Sequence, residues 1–256
     1  MLYSDKKTLD DYKKVNTSDW NSVKNHLRLR IINTKYLLKE YPKDIMSKKF
    51  LDISQVLSLQ EKQNDMISHM ITKEDLNKYN VSFKEAYAIA KNNTIMDKKR
   101  RILTLKEFMM HNEVLYPLMS YNNKHTETGF KTKDGSMASI DEVDEDTQVE
   151  NILVLCNRTE VFGGAYMCIP EITSEVYNRF HKENFYILPM SVHCLWCIRQ
   201  GYVTHNNTKP IFEAEDDMLC MVEKFNDEYN KDWLDVLSYK IYYYSGDDGK
   251  AIFPIQ

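Results

Sequence analysis

Hydrophobic and polar residues alternate with two different periods along the first hundred residues. Positions 27–31 switch between apolar and polar, which predicts a strand after a short helix capped by Ser18. The apolar segments 50–59 and 66–71, separated by a polar turn, predict a hairpin. We therefore expect the first part of the chain to contain an antiparallel sheet.

Three helix starts follow this sheet segment. Thr72 precedes acidic residues, and Ser82 and Thr104 each have a Glu three residues later, which is the signature of a capping box. After Ser82, apolar residues at helical spacing predict an amphipathic helix at 83–92. We expect this helix to pack on the sheet.

Apolar residues become scarce between residues 122 and 150, where the run 141–146 is almost wholly acidic. A calcium site is the alternative interpretation, but the run lacks the Gly and the spaced Glu of an EF-hand loop. The pattern favours an N-terminal α+β region at 1–121, an acidic linker or long loop at 122–150, and a C-terminal α+β region at 151–256.

Strand and helix patterns alternate again after the acidic segment. We predict, in chain order, a strand at 151–156, a second strand ending at Ile169, a helix from Pro170, a strand at 185–198, a helix at 215–229 and a hairpin around 246–249. The expected fold class is therefore α+β, with mostly antiparallel sheets, packed helices and two sub-regions joined by the acidic loop.

Charge and composition narrow the class of partner. The formal charge of −4 gives no general attraction to phosphate backbones. The basic run Lys98–Arg101 is short, and we interpret it as a solvated loop rather than a phosphate-binding patch. Nucleic acid is thus not the expected partner.

Residues 1–20 lack the apolar region of a secretory signal, which predicts a cytoplasmic protein, and the apolar runs are too short to cross a membrane.

The 5 cysteines form an odd set in a chain without an export signal, so we expect reduced thiols and no disulfide. His193, Cys194 and Cys197 resemble a zinc or redox motif, and both chemistries remain alternatives. If 185–198 is a strand, however, Cys194 and Cys197 point to opposite faces and cannot bind one metal. We expect structural thiols, no metal and no cofactor.

Ser191 and His193 would share one face of that strand, as a nucleophile and its base might in a hydrolase. Sequence cannot place the orienting acid or the oxyanion hole that such an enzyme requires. The more common role of a His in an apolar strand is a core residue with satisfied hydrogen bonds. Ser191 and His193 are therefore catalytic candidates only if the protein is an enzyme.

Binding candidates lie near the end of the strand at 151–156. Asn157 and Arg158 are polar residues at this strand end, and Gly163 with Gly164 can let a ligand or another strand approach the backbone closely. A tight turn or bulge between two strands explains the glycine pair as well, and we favour the turn.

Several segments carry, in order, a resemblance to a known family: Leu27–Asn33, Lys49–Ile53, Ile71–Leu76, Ala90–Thr94, Val154–Thr159, Gly164–Ala165 and Tyr186–Pro189. In this order they resemble the bacterial family catalogued as domain of unknown function 5688, found mainly in gut Firmicutes such as Lachnospiraceae and clostridia. The resemblance covers about residues 20–256. The family carries a Ser-Ser-Ile-His-Glu-like stretch after Ile-Leu-Pro, whereas this chain reads Met190–Cys194, with Ser191 and His193 retained and the Glu absent.

The family has no established activity, so the resemblance implies a fold and a compartment rather than a reaction. We expect a non-catalytic protein-interaction module with an unknown protein partner, in the mobile-element or phage context that such gut-bacterial families often share. The alternative is a hydrolase-type enzyme with a site near Asn157, Arg158, Ser191 and His193.

Overall fold

The structure is a computed structural model. It describes residues 15–41, 43–61, 64–105, 107–108, 129–131, 137–139, 151–157, 162–204, 215–228, 235–247 and 251–255. Antiparallel sheets and packed helices make up these residues, which confirms the α+β class.

The helices of the described residues are α1 (Trp20–His26), α2 (Thr34–Glu40), α3 (Lys73–Lys78), α4 (Phe83–Ile95), a 3₁₀ helix (Gly163–Cys168), α5 (Pro170–Arg179), α6 (Gln200–Thr204) and α7 (Glu215–Glu228). The strands are β1 (Leu27–Asn33), β2 (Ser47–Phe50), β3 (Ile53–Glu61), β4 (Asn64–Met70), β5 (Arg100–Thr104), β6 (Gly129–Lys131), β7 (Met137–Ser139), β8 (Ile152–Asn157), β9 (Phe185–Leu188), β10 (Leu195–Arg199), β11 (Ile241–Ser245) and β12 (Ala251–Ile255).

The strands are arranged in two large sheets. The first has the order β1-β3-β2, and β4 also pairs with β3. The second has the order β12-β11-β9-β10-β8-β5, and all of its described pairs are antiparallel. The predicted hairpins β3-β4 and β11-β12 are both present.

Local capping chemistry sets the helix starts. The Thr72 hydroxyl accepts from the Asp75 backbone N–H, and the Asp75 carboxylate accepts from the Thr72 backbone N–H. The Ser82 hydroxyl likewise accepts from the Glu85 backbone N–H. The first helix differs from the prediction because Asp19, rather than Ser18, is its N-cap and accepts from Asn21.

The main core lies where the two sheets, α4, α5 and the 3₁₀ helix meet. Its buried side chains include Leu29 of β1, Leu57 of β3, Leu155 of β8 and Val176 of α5. A second cluster, containing Val154 and Trp196, covers the opposite face of the larger sheet together with α7. Because apolar side chains occupy both faces, β8 reads as a continuous hydrophobic run rather than an alternating one.

Strand β5 belongs to the sequence region 1–121 but pairs with β8, so the larger sheet takes strands from both predicted regions. Within 122–150 the described residues form the paired strands β6 and β7, and the rest of the acidic segment lies outside the described residues. The division at 122–150 stays a prediction.

Two predicted strands are wrong. The segment after the Gly163–Gly164 pair is a fully buried 3₁₀ helix, because residues 163–168 pack into the core rather than join a sheet. The segment 185–198 is two strands, β9 and β10, joined by a turn that contains Ser191 and His193. Apolar residues continue through the turn because the turn itself is buried, with Val192 only 1% exposed. The sequence therefore shows no polar break between the two strands.

Candidate functional site around His193

The turn Ser191–Cys194 is held together by the hydroxyl of Ser191. This oxygen accepts hydrogen bonds from the backbone N–H of His193 at 3.0 Å and of Cys194 at 3.3 Å. The Ser191 N–H in turn donates to the Cys194 carbonyl at 3.2 Å. A short hydroxyl side chain that satisfies nearby backbone groups is typical of a turn, so Ser191 stabilises the local backbone.

The ring of His193 joins two segments that are distant in sequence. Its Nδ1 accepts the backbone N–H of Phe162 at 3.2 Å, and its Nε2 lies 3.0 Å from Oδ1 of Asp235. Because Nδ1 faces a donor, the proton of the imidazole belongs on Nε2, where it is donated to the carboxylate. The side chains of His193 and Asp235 are 20% and 24% exposed.

Phe162 is held in a left-handed conformation, with φ at 60°. A non-glycine residue in this region costs on the order of 1 kcal/mol, so neighbouring contacts must maintain it. The His193 bond to its N–H is one such contact, and the guanidinium of Arg30 lies 4.2 Å above its ring. Arg30, which is 1% exposed in β1, thus connects the first sheet to the turn through Phe162.

The main chain adds two further connections to the same turn. The N–H of Val192 donates to the carbonyl of Asp235 at 3.0 Å, and the N–H of Gly164 donates to the carbonyl of Val192 at 3.0 Å. Asp235 therefore holds the turn with its side chain and its backbone together.

The glycine pair allows the 3₁₀ helix to approach this turn closely. A Cβ atom on Gly163 would lie 2.5 Å from the His193 carbonyl oxygen, and one on Gly164 would lie 2.8 Å from that of Val192. Real Cβ atoms do not come so close to backbone, so only glycine fits at both positions. Close backbone approach explains the pair here, in place of the turn between strands that we favoured.

Ser191, His193 and Asp235 are the residue types of a hydrolase triad, but their bonding differs from one. In a triad, one imidazole nitrogen contacts the acid and the other contacts the nucleophile hydroxyl. Here the second nitrogen accepts from the Phe162 backbone, and the hydroxyl accepts from the turn. This arrangement connects the turn to Phe162 and Asp235.

The family of unknown function DUF5688 has a model that matches residues 1–246. The chain belongs to this family. No curated protein and no solved structure matches it. Among the described residues of this DUF5688 member, no helix has both the length and the apolar sequence required to cross a membrane.

Asn157, another of the binding candidates, lies near the turn. Asn157 ends β8 as a buried residue, directly after Cys156, whose Cα lies 2.8 Å from the position that a Gly163 Cβ would take. Arg158 lies outside the described residues. The structure therefore brings together the glycine pair, the turn and the end of β8.

Sequence reasoning missed three residues of the site: Asp235, Phe162 and Arg30. No motif connects Asp235 to His193, since the two are 42 positions apart. Arg30 occupies one of the polar positions of the alternating pattern in β1, which predicts a side chain facing solvent, yet it is buried. An arginine between apolar residues in a strand was the available signal.

The cysteines of the candidate motif occupy different environments. Cys194 belongs to the core cluster with Val154 and Trp196, whereas Cys197 belongs to the main core on the opposite face of the sheet. Burial raises the pKa of the Cys197 thiol far above its usual value. Within the described residues, no group of three or more His, Cys, Asp or Glu side chains is placed to bind a metal ion.

Proposed function

We propose that this DUF5688 member acts without catalysis, as a module that binds another protein. The observation that carries the proposal is the bonding of His193, whose two ring nitrogens contact Phe162 and Asp235. A general base needs a nitrogen directed at the proton that it removes. The best catalytic candidate of the sequence is instead a connection within the scaffold.

The pairing of basic residues supports a protein partner over a nucleic acid. Arg100, in the basic run, donates to Glu175 at 2.7 Å, and Arg101 donates to the carbonyls of Lys98 and Arg100 at 3.1 Å. Lys91 also pairs with Glu171 at 2.8 Å. Arg100 and Lys91 are neutralised by these carboxylates and contribute little to phosphate binding, whereas the carbonyl bonds of Arg101 hold its side chain in place without neutralising it.

Side chains already bond to backbone groups of the edge strands β5 and β1, which limits how a partner could bind there. On β5, the Ile102 carbonyl accepts from Arg179 and the Thr104 N–H donates to Glu107 at 2.7 Å. On β1, the Leu29 N–H donates to Thr94 of α4 at 3.0 Å. Since strand addition requires free backbone groups, we infer that the partner contacts side chains rather than extending the sheet at β1 or β5.

The setting that we propose is the cytoplasm of a bacterium, with a mobile element or a phage as the source of the gene. The family resemblance supports this setting. A hydrolase remains the second candidate, because Ser191, His193 and Asp235 lie within one cluster.

The experiment has a catalytic arm and a binding arm. In the first, wild type, His193→Ala and Asp235→Asn are assayed against ester, amide, phosphoester and glycoside substrates at a temperature at which all three are folded by circular dichroism. We expect no turnover above a heat-inactivated control. Turnover by wild type that both substitutions abolish would establish the hydrolase and overturn the proposal.

In the binding arm, the full chain is expressed with an affinity tag in the bacterium that encodes it, and co-purifying proteins are identified. Each candidate is then purified and mixed with the chain, and binding is measured by calorimetry. We expect one protein to bind stoichiometrically in this reconstitution. If no candidate binds when purified, protein binding as the function is contradicted.

A further inference from the structure

The register of β8 and β10 places two cysteines opposite each other. The paired positions run from Ile198 with Ile152 to Leu195 with Leu155. Continuing this register by one position beyond Leu195 and Leu155 aligns Cys194 with Cys156. Both side chains lie in the cluster with Val154 and Trp196, so both point to the same face of the sheet.

The hydrogen-bond pattern shows what kind of cross-strand position this is. The Arg199 N–H donates to the Asn151 carbonyl at 2.9 Å, which makes that pair a hydrogen-bonded one. Paired positions alternate between the two types along an antiparallel ladder, so Cys194 and Cys156 occupy a non-hydrogen-bonded position. The backbone of Cys194 agrees, because its N–H and its carbonyl both bond to Ser191.

Non-hydrogen-bonded positions bring Cα atoms to about 4.5 Å, within the range of about 4.4 to 6.8 Å that a disulfide spans. We propose that Cys156 and Cys194 are a redox-responsive pair that forms a disulfide across β8 and β10 when the protein meets a peroxide. This modification site is independent of the function proposed above.

The remaining cysteines are less suited to this reaction. Cys168 and Cys197 lie in the main core, apart from the cluster that holds Cys156 and Cys194, and burial raises the pKa of both of their thiols. Cys220 is exposed on α7 and lies outside both core clusters. Cys194, at 8% exposed against 2% for Cys156, is the more accessible thiol of the pair.

The chemistry needs hydrogen peroxide as the oxidant. The Cys194 thiolate attacks one peroxide oxygen, the O–O bond breaks, and the departing hydroxide takes up the thiol proton as water. The Cys156 thiolate then attacks the sulfur of the resulting sulfenic acid, which forms the S–S bond and expels hydroxide, and this hydroxide takes up the proton lost by the Cys156 thiol as the second water. Two thiols and one peroxide thus give one disulfide and two waters.

The bond would also change the site at His193. Cys194 is the last residue of the turn that carries this imidazole, and Cys156 lies against Gly163. Oxidation would join the turn covalently to β8, in addition to its hydrogen bonds to Asp235 and Gly164.

The test uses the full chain with Cys220→Ser, which removes the exposed thiol that could link two molecules. The protein is treated with hydrogen peroxide, or with glutathione disulfide, and its free thiols are blocked in denaturant for intact-mass and peptide analysis. We expect a loss of two hydrogens and a crosslinked peptide pair that joins Cys156 to Cys194. Dithiothreitol should reverse the change.

Matched variants in the same background locate the bond. Cys197→Ser and Cys168→Ser should retain the crosslink, whereas Cys156→Ser and Cys194→Ser should lose it. A crosslink mapped to Cys197, or four blocked thiols after both oxidants, would overturn the proposal. The peptide map of the background protein alone decides these outcomes if a variant fails to fold.

Discussion

The phenol of Tyr242 donates a hydrogen bond to the carboxylate of Asp52 at 2.8 Å, although the two residues are 190 positions apart. The other carboxylate oxygen accepts from the hydroxyl of Ser238, also at 2.8 Å. Asp52 precedes β3 of the first sheet, and Tyr242 lies in β11 of the second. Burial, together with the negative charge of Asp52, raises the pKa of Tyr242, so the phenol stays a donor even at alkaline pH where a free tyrosine ionises.

We expect Asp52→Ala to lower the free energy of unfolding by roughly 3 kcal/mol. The substitution removes two hydrogen bonds to a charged group, and the buried hydroxyls of Ser238 and Tyr242 lose this carboxylate as their acceptor. Asp44→Ala is the control, because Asp44 is an exposed acid that also precedes β3 in the chain. We expect it to change the free energy of unfolding by less than about 0.5 kcal/mol. Urea denaturation followed by circular dichroism measures both. Equal stability of the two variants would show that this contact between the sheets is unimportant.

Local signals account for the part of the fold that sequence predicted. The capping residues Thr72 and Ser82 act within three positions of themselves, so their role is readable without knowing the tertiary structure. The 3₁₀ helix at Gly163–Cys168 was read as a strand because a fully buried segment is apolar at every position and loses its period. The turn at Ser191–Cys194 was missed for the same reason.

The candidate site was predictable only where its members are close in sequence. Ser191 and His193 were identified together because two positions separate them. Asp235 and Phe162 come to His193 through the packing of the larger sheet and the 3₁₀ helix, which no local pattern encodes. The distant partners, and not the residue types, determine which groups the imidazole of His193 contacts.

The His193–Asp235 contact should have a measurable coupling energy. We expect His193→Ala and Asp235→Ala each to destabilise the fold, and the double variant to lose less than the sum, with a coupling of roughly 1 to 3 kcal/mol. The four unfolding free energies of this double-mutant cycle are obtained from urea denaturation. Strictly additive losses would mean that the hydrogen bond contributes nothing to stability.

Gly163→Ala should destabilise the protein by roughly 2 kcal/mol or more, because the added methyl would overlap the His193 carbonyl, a backbone atom with little freedom to move. Gly201→Ala is the matched control. Its methyl would meet the ends of two side chains, Glu183 and Arg199, rather than backbone, so we expect a loss below about 1 kcal/mol. Thermal melts of both variants check the difference, and similar melting temperatures would contradict the close approach at the turn.

The capping box at Thr72 should make stability depend on pH. Burial alone would raise the pKa of Asp75, but hydrogen bonds from His69 and Thr72 outweigh burial, and the pKa lies below its usual value. A lowered folded-state pKa means that the carboxylate stabilises the protein above its unfolded-state pKa of about 4, and that this contribution disappears as the pH falls through the lower folded-state value.

We therefore expect Asp75→Ala to cost about 1 kcal/mol at pH 7, and the gap to wild type to narrow as the pH drops below about 4. Glu74→Ala removes an exposed acid from the same first turn of α3, so it controls for the interaction of negative charge with the helix dipole. The free energies of unfolding are measured in urea across this pH range for the three proteins. If the gap for Asp75→Ala is constant with pH, or matches that for Glu74→Ala, the hydrogen bonds from His69 and Thr72 do not stabilise the carboxylate. If instead it narrows only for Asp75→Ala, the loss follows the protonation of this one carboxylate, because Glu74→Ala removes one negative charge from the same helix turn and leaves the hydrogen bonds of Asp75 in place.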